Sequence, residues 1–305
     1  MEIKTTVAQL RMQGGMAYVI RLCDGRFIVI DGGEATDEDC YQINKSTLYR
    51  YLRERATGDK ISVALWVITH FHSDHVDVAA RFLEEYRDEL EVEGFMYNKA
   101  PSVEYFSDSE RDEELTREAA FERAMSLYPN AERICPRAGD RLFVVDTVID
   151  VLSTAYEPYP EKPINANEIS SVMKITFENG RSFMVLGDAS GERLTSLVTP
   201  ESAVYCKNEM LKSDILQVAH HGLAVGYENE YPSITALYER IAPRIAFWAI
   251  NEKRFLTDKW CRDPKHTYHK FLFDTVGENN YSNSYTTIVD MTDLSVSLEK
   301  SEDTE

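Results

Sequence analysis

The sequence predicts an α/β chain in which two sheets pack face to face with helices on the outside. Three observations lead there. Strand-like and helix-like patterns are mixed through both halves of the 305 residues. Two apolar runs, the continuous 63–68 and 215–219 with Gln217 within it, read as buried strands. Apolar residues make up 43% of the chain, enough for a packed core and against wholesale disorder. A chain of this length exceeds the usual single domain, yet large α/β folds reach it as one unit, and a single domain over 1–305 is expected.

The elements follow in order. Residues 17–22 and 27–30 form a hairpin, with the tight-turn dipeptide Asp24-Gly25 between them. Asp31-Gly32-Gly33 ends the second strand, and apolar spacing at Ile43, Leu48, Tyr51 and Leu52 predicts a helix over 37–55. The buried strand 63–68 runs into Thr69-His70-Phe71-His72-Ser73-Asp74-His75, and a helix over 76–90 follows. Residues 98–140 are the most polar part and include the acidic run 108–114. They are expected as a surface insertion or lid with a helix reaching Tyr128, or as a solvated helix with no role. Strands are expected at 142–145, 148–152, 171–177, 182–186, 215–219, 245–250 and 285–289, with helices over 231–241 and 267–276. The tail, about 299–305, reads as frayed.

Charge and cysteine usage narrow the partners. Lys and Arg number 33 against 52 Asp and Glu, a net charge of −19, which repels nucleic acid and anionic membranes at long range. Extended nucleic-acid binding is therefore disfavoured, whereas a small anionic substrate steered by a metal is compatible. The five cysteines are scattered and never form a C-x-x-C pair, which argues against a disulfide framework or a cysteine zinc knuckle. The N-terminus lacks a basic-then-apolar signal pattern and no apolar run reaches membrane-spanning length, so a cytoplasmic protein is expected.

The histidines carry the chemistry. Of seven, His70, His72 and His75 fall within six residues beside Asp74, just after a buried strand. His220 and His221 stand just after another, before Gly222. In an extended segment, residues two apart project to the same side, so His70 and His72 can grip one ion. Asp74 and His75, where the chain turns into a helix, can face a second. Imidazole with carboxylate suits zinc, manganese or iron(II) rather than calcium or magnesium. Asp188, after the strand 182–186 and Gly187, is placed to bridge two ions, although strand-Gly-Asp is also a common helix start. Asp31 reads as a structural residue or one that orients a ligand histidine. His266 and His269, i and i+3 at a helix start, line a cleft mouth or form a solvated face. Lys253 and Arg254 bind a phosphate or are surface charge.

Taken together, Asp31-Gly32-Gly33, His70-x-His72-x-Asp74-His75, Gly187-Asp188 and His220-His221-Gly222 resemble, in order, the motifs of the metallo-β-lactamase superfamily. The stretches 167–172 and 213–222 look more narrowly like the nuclease-like domain of ComEC competence proteins. The resemblance implies an αββα four-layer sandwich with a dinuclear site between its sheets. One ion would be held by His70 and His72, a second by Asp74 and His75, with Asp188 between them. Either His220 or His221 would complete the second site. Neighbouring side chains of a strand point oppositely, and His220 is favoured. Most hydrolases of the superfamily supply a further histidine before the Gly-Asp corner. None lies between His75 and His220 here, and Asn167 or Ser170 falls nearest that position. That departure favours hydrolysis of a phosphodiester, with Asp74 or Asp188 orienting a metal-activated water. The rivals are a lactone or thioester hydrolase of the same fold and a non-catalytic metal-binding interaction protein.

Overall fold

A computed structural model describes residues 3–99, 111–154, 166–257 and 259–299. The chain opens with β1 (Thr6–Gln9), β2 (Ala17–Arg21), β3 (Phe27–Asp31), α1 (Glu38–Arg55) and β4 (Ile61–Ile68). It continues through α2 (Ser73–Glu85), β5 (Leu90–Val92), β6 (Gly94–Tyr97), α3 (Arg111–Ser126) and β7 (Glu132–Ile134). The second half begins with β8 (Arg141–Val144), β9 (Thr147–Ser153), β10 (Val172–Phe177) and β11 (Ser182–Val185). Next come α4 (Gly191–Ser196), α5 (Asn208–Leu211), β12 (Ile215–Gln217), α6 (Tyr231–Ile241) and β13 (Ile245–Trp248). Last are α7 (Glu252–Thr257), α8 (Lys259–Arg262), α9 (Thr267–Val276), β14 (Asn280–Ser282), β15 (Thr286–Asp290) and β16 (Val296–Glu299).

The strands sort into two sheets. One runs β16-β15-β1-β2-β3-β4-β6-β7, with β5 also on β4; the other runs β14-β13-β12-β11-β10-β9-β8. Three buried clusters mark four layers. Tyr18, Ile20, Ile30, Leu65 and Val67 of the first sheet meet Met173, Phe183, Val185 and Phe247 of the second. Helices α1, α2 and α3 cover the outer face of the first sheet through Leu48, Phe82, Phe121 and Met125. Helices α4, α6 and α9 cover the second through Leu194, Leu237 and Leu272. The fold is thus the αββα sandwich expected. Strand β4 explains its own composition: Trp66 and Ile68 face the helices while Leu65 and Val67 face the other sheet. Both faces are dry, so the apolar run is unbroken.

Helix α3 is the crossover between the parallel strands β6 and β7, and it buries Phe121, Ala124 and Met125 in the first layer. A parallel pair needs such a crossover. The run at 100–110 and the tail beyond 299 lie outside the described residues. The short strands β1, β5, β6, β7, β14 and β16 have three or four residues each, too few for a period-two pattern to register. Among the described residues, no helix is long and apolar enough to cross a membrane.

Parallel pairing places the chemistry. Strands β3, β4, β11, β12 and β13 pair parallel within their sheets, and Asp31, His70, Asp188 and His221 lie at or just beyond carboxyl ends of these strands. This is the edge at which open α/β sheets receive ligands. Gly32 keeps that edge tight, because a Cβ there would sit 2.7 Å from the backbone nitrogen of Ala79 in α2. Gly32→Ala should therefore cost about 1–3 kcal/mol through overpacking, read as a lower urea midpoint at unchanged m.

Candidate metal centre

Asp188 is the hub. Its side chain is 2% exposed, and Oδ2 lies 3.2 Å from His221 Nε2, 3.4 Å from His75 Nε2 and 4.0 Å from His70 Nε2. Two groups of donors share it, each with atoms mutually within 4.8 Å: Asp74, His75, Asp188 and His221, and His70, His72 and Asp188. Donors about 2.1 Å from one tetrahedral ion lie roughly 3.4 Å apart, which matches these spacings.

Each donor is fixed from behind. Asp31 is fully buried, accepts from the Thr69 backbone N–H and from Thr69 Oγ1 at 2.8 Å each, and stands 2.8 Å from His75 Nδ1. That contact turns His75 Nε2 toward Asp188. The Gly187-Asp188 corner, where Gly187 has φ +57°, is clamped by Gln217. Its Oε1 accepts from the backbone N–H of Leu186 and Gly187 at 2.7 Å each, and its Nε2 donates to Gly187 O at 3.0 Å. Ser170 Oγ accepts from the Asp188 backbone N–H at 3.1 Å. Ser170, one of the two residues nearest the absent histidine, is thus engaged with the backbone. Asn167 Oδ1 is buried without a hydrogen-bond partner among the described residues.

The preference for His220 is reversed. Strand β12 stops at Gln217, so the alternation that favoured His220 does not apply. His220 and His221 sit in a turn with φ of +50° and +58°. Such conformations cost of order 1–3 kcal/mol each and persist where surroundings over-determine them. Here His221 Nδ1 meets Ala249 O at 3.0 Å and the His220 backbone N–H donates to Gly187 O at 3.0 Å. Gly222, at φ +81°, lies against Trp248, where a Cβ would be 2.3 Å from Cε3. His221 is consequently aimed inward, 2.9 Å from Asp74 Oδ2. His220 stays at the rim, 28% exposed, with Nε2 3.9 Å from Asp188 Oδ2.

His266 and His269 do not reach a cleft mouth. The start of α9, with His266 just before its first residue, carries them inside, where His266 packs on Tyr231 and His269 on Trp248, with centroids 5.4 and 5.1 Å apart. Both are buried, which overturns the solvated-face alternative as well. Lys253 is exposed on α7, outside the two donor groups. Three residues of consequence carried little sequence signal. Gln217 is a polar residue in an apolar strand, and that anomaly could have found it. Glu114 is hidden in an acidic run, yet is buried with Oε1 3.8 Å from His72 Nε2. Half-buried Glu34 packs where Gly14 lacks a Cβ.

Burial and mutual charge set the protonation of the donors. Burial alone would raise the Asp188 carboxyl, but His221 and His75 hold it well below the carboxylate range. Burial would likewise raise Asp74, and His75 and His221 bring it below its ordinary value. Burial opposes the charge on His75, yet Asp188, Asp74 and Asp31 push it well above an ordinary imidazole. The same balance, led by Asp188 against burial, raises His221 to about 10. His70 goes the other way, lowered well below by burial and by His75. Meanwhile His70 Nε2, His75 Nε2 and Asp188 Oδ1 are buried without hydrogen-bond partners among the described residues. Buried polar atoms without partners are rare. Facing one another in a four-donor and a three-donor group, they fit two divalent ions.

The architecture has solved counterparts. A mutant of the CmlA β-hydroxylase matches with TM-score 0.53 and 10% identity, covering 95% of this chain and 54% of that one, so the chain spans about half of that protein. The metallo-β-lactamase fold protein YhfI from Bacillus subtilis matches with TM-score 0.48 and 11% identity over 92% and 96% of the two chains. BJP-1, a subclass B3 metallo-β-lactamase of Bradyrhizobium japonicum, matches with TM-score 0.42 and 15% identity over 90% of each chain. No family model matches the sequence, and neither does any curated protein. The chain shares its fold with the CmlA structure, and it carries a candidate metal centre.

Ligation requires neutral imidazoles, so an ion entering the second group must displace the protons on His75 and His221. Apparent affinity should rise with pH between 6 and 9, by about tenfold per unit for each proton released. Calorimetry in buffers of different ionisation enthalpy should find proton release at pH 7. Proton-neutral binding would contradict these charge states.

Proposed function

We propose that the chain is a metal-dependent hydrolase acting on a small phosphodiester, with zinc or manganese, or iron(II), as the physiological ions in a cytoplasmic setting. The observation that carries the reading is the shared Asp188 oxygen, against which both donor groups converge. When bound, divalent ions supply the charge that lowers the pKa of a nearby water and polarises the scissile oxygen. The protein's own groups do the rest. Asp188 and Asp74, both held ionised, orient a water by accepting its hydrogen bonds. Asp74, 28% exposed against 2% for Asp188, is the better placed to pass the proton to solvent.

The phosphodiester is supported by the ComEC-like stretches 167–172 and 213–222 and by the three-donor group, whose residues would hold an ion with fewer protein donors than the four-donor group. Its small size is supported by charge. A net −19, with Glu34 and Glu114 near the donors, opposes a long polyanion. Purified protein loaded with zinc or manganese should hydrolyse chromogenic phosphodiesters in preference to lactones, thioesters or single-stranded DNA. His72→Ala and Asp188→Ala should each lower that turnover by about 100-fold or more. Undiminished turnover in either variant would refute the assignment, and turnover of lactones or thioesters alone would move the substrate class.

A further inference from the structure

Within the four-donor group, Asp74 Oδ2 lies 2.9 Å from His221 Nε2, yet the two residues come from different halves of the chain. Asp74 lies in the first turn of α2, beyond β4 of the first sheet, and His221 follows β12 of the second. Two segments hold them from behind. The loop 10–16, between β1 and β2, lies against the Asp74 backbone, where the Met16 N–H donates to Asp74 O at 3.1 Å. Gly15 makes that approach possible: it has φ +76°, and a Cβ there would sit 1.9 Å from Asp74 O. On the other side, the segment after β13 brings Ala249 O to 3.0 Å from His221 Nδ1.

Asn283 joins the two segments. It stands directly after β14 and is 3% exposed. Its backbone N–H donates to Ile250 O at 3.1 Å, one residue beyond the carbonyl that meets His221. Its Nδ2 donates to Gly15 O at 3.2 Å. A carbonyl acceptor can be served only by the amide nitrogen, so the orientation of the side chain follows from the chemistry. A continuous path then runs from Asp74 through Met16 and Gly15 to Asn283, and on through Ile250 and Ala249 to His221. The direct approach of Asp74 to His221 closes the ring.

We infer that Asn283 is a positioning residue for the second ion. Its two hydrogen bonds set the separation between the loop that holds the Asp74 backbone and the segment that orients His221. The two donors are thereby brought to ligating distance before an ion arrives, and less ordering remains for binding to impose. Asn283 itself lies outside both donor groups, so it acts through its neighbours. The inference rests on the metal-centre reading and is independent of the substrate.

The test is a competition titration of Zn²⁺ against a chromophoric chelator, using the full chain and resolving the affinities in wild type. The affinity abolished by His221→Ala identifies the second ion, and that abolished by His72→Ala the first. Asn283→Asp keeps the shape and removes the amide donor. It should weaken the second affinity by about tenfold, the lower end for outer contacts because it acts through backbone, and leave the first unchanged. The visible bands of Co²⁺ bound in the second position should shift too, because the geometry around Asp74 and His221 changes. Asn283→Ala replaces the Asp variant should that one not fold. An unaltered second affinity in a folded variant would overturn the inference. So would an equal loss at both positions accompanied by a lower melting temperature of the metal-free protein, which marks a packing role. Wild-type protein that binds no ion would instead remove the metal-centre reading itself, and this inference with it.

Discussion

A carboxylate buried to 2% exposure has to be answered by positive charge, and Asp188 organises the molecule around that requirement. The idealised cost of moving such an ion into a low-dielectric interior is of order 20 kcal/mol, and several kcal/mol survive relaxation. Imidazoles delivered by two different sheets meet this one group: His70 and His75 follow β4, and His221 follows β12. The sandwich and the site are therefore one design. Pulling the sheets apart would strand the carboxylate, and removing it would leave protonated histidines packed together without an anion.

The holding residues show how the chain keeps this arrangement. Asp31 fixes His75, Gln217 fixes the Gly187-Asp188 corner, and the carbonyl of Ala249 fixes His221. Each acts from a buried position, and each restricts one degree of freedom of a donor. Asp31 itself has φ +59°, so left-handed backbone recurs at Asp31, Gly187, His220 and His221. Strain gathered at strand ends around a polar cluster is characteristic of sites where geometry is maintained against local preference. The centre is also asymmetric. Among the described residues, four donors gather in one group and three in the other, with Asp188 common to both.

Much of this was legible in the sequence because the signals are local. The apolar runs ahead of His70 and His220 gave the buried strands, and the histidine spacing gave the first cluster. Asp188 could be placed by its position after a strand and a glycine. The misreadings share a cause: they depended on backbone direction or on tertiary partners. Alternation along a strand pointed to His220, but Gly222 against Trp248 and the left-handed turn made His221 the inward residue. In the polar segment 98–140 a few apolar residues, Phe121, Ala124 and Met125, suffice to seat α3 in the first layer, and no periodicity announces them. His266 and His269, read from their spacing as lining a cleft mouth or forming a solvated face, are enclosed by aromatic rings. Glu114 lies more than forty positions from its neighbour in space, His72, and no periodicity connects them.

Where divalent ions settle decides whether this cluster is a metal centre. Anomalous diffraction from crystals grown with zinc or manganese locates them directly. Two peaks on either side of Asp188 are expected, one bounded by His70 and His72 and the other by Asp74, His75 and His221. Peaks elsewhere on the surface, with these side chains left facing one another unbridged, would contradict it.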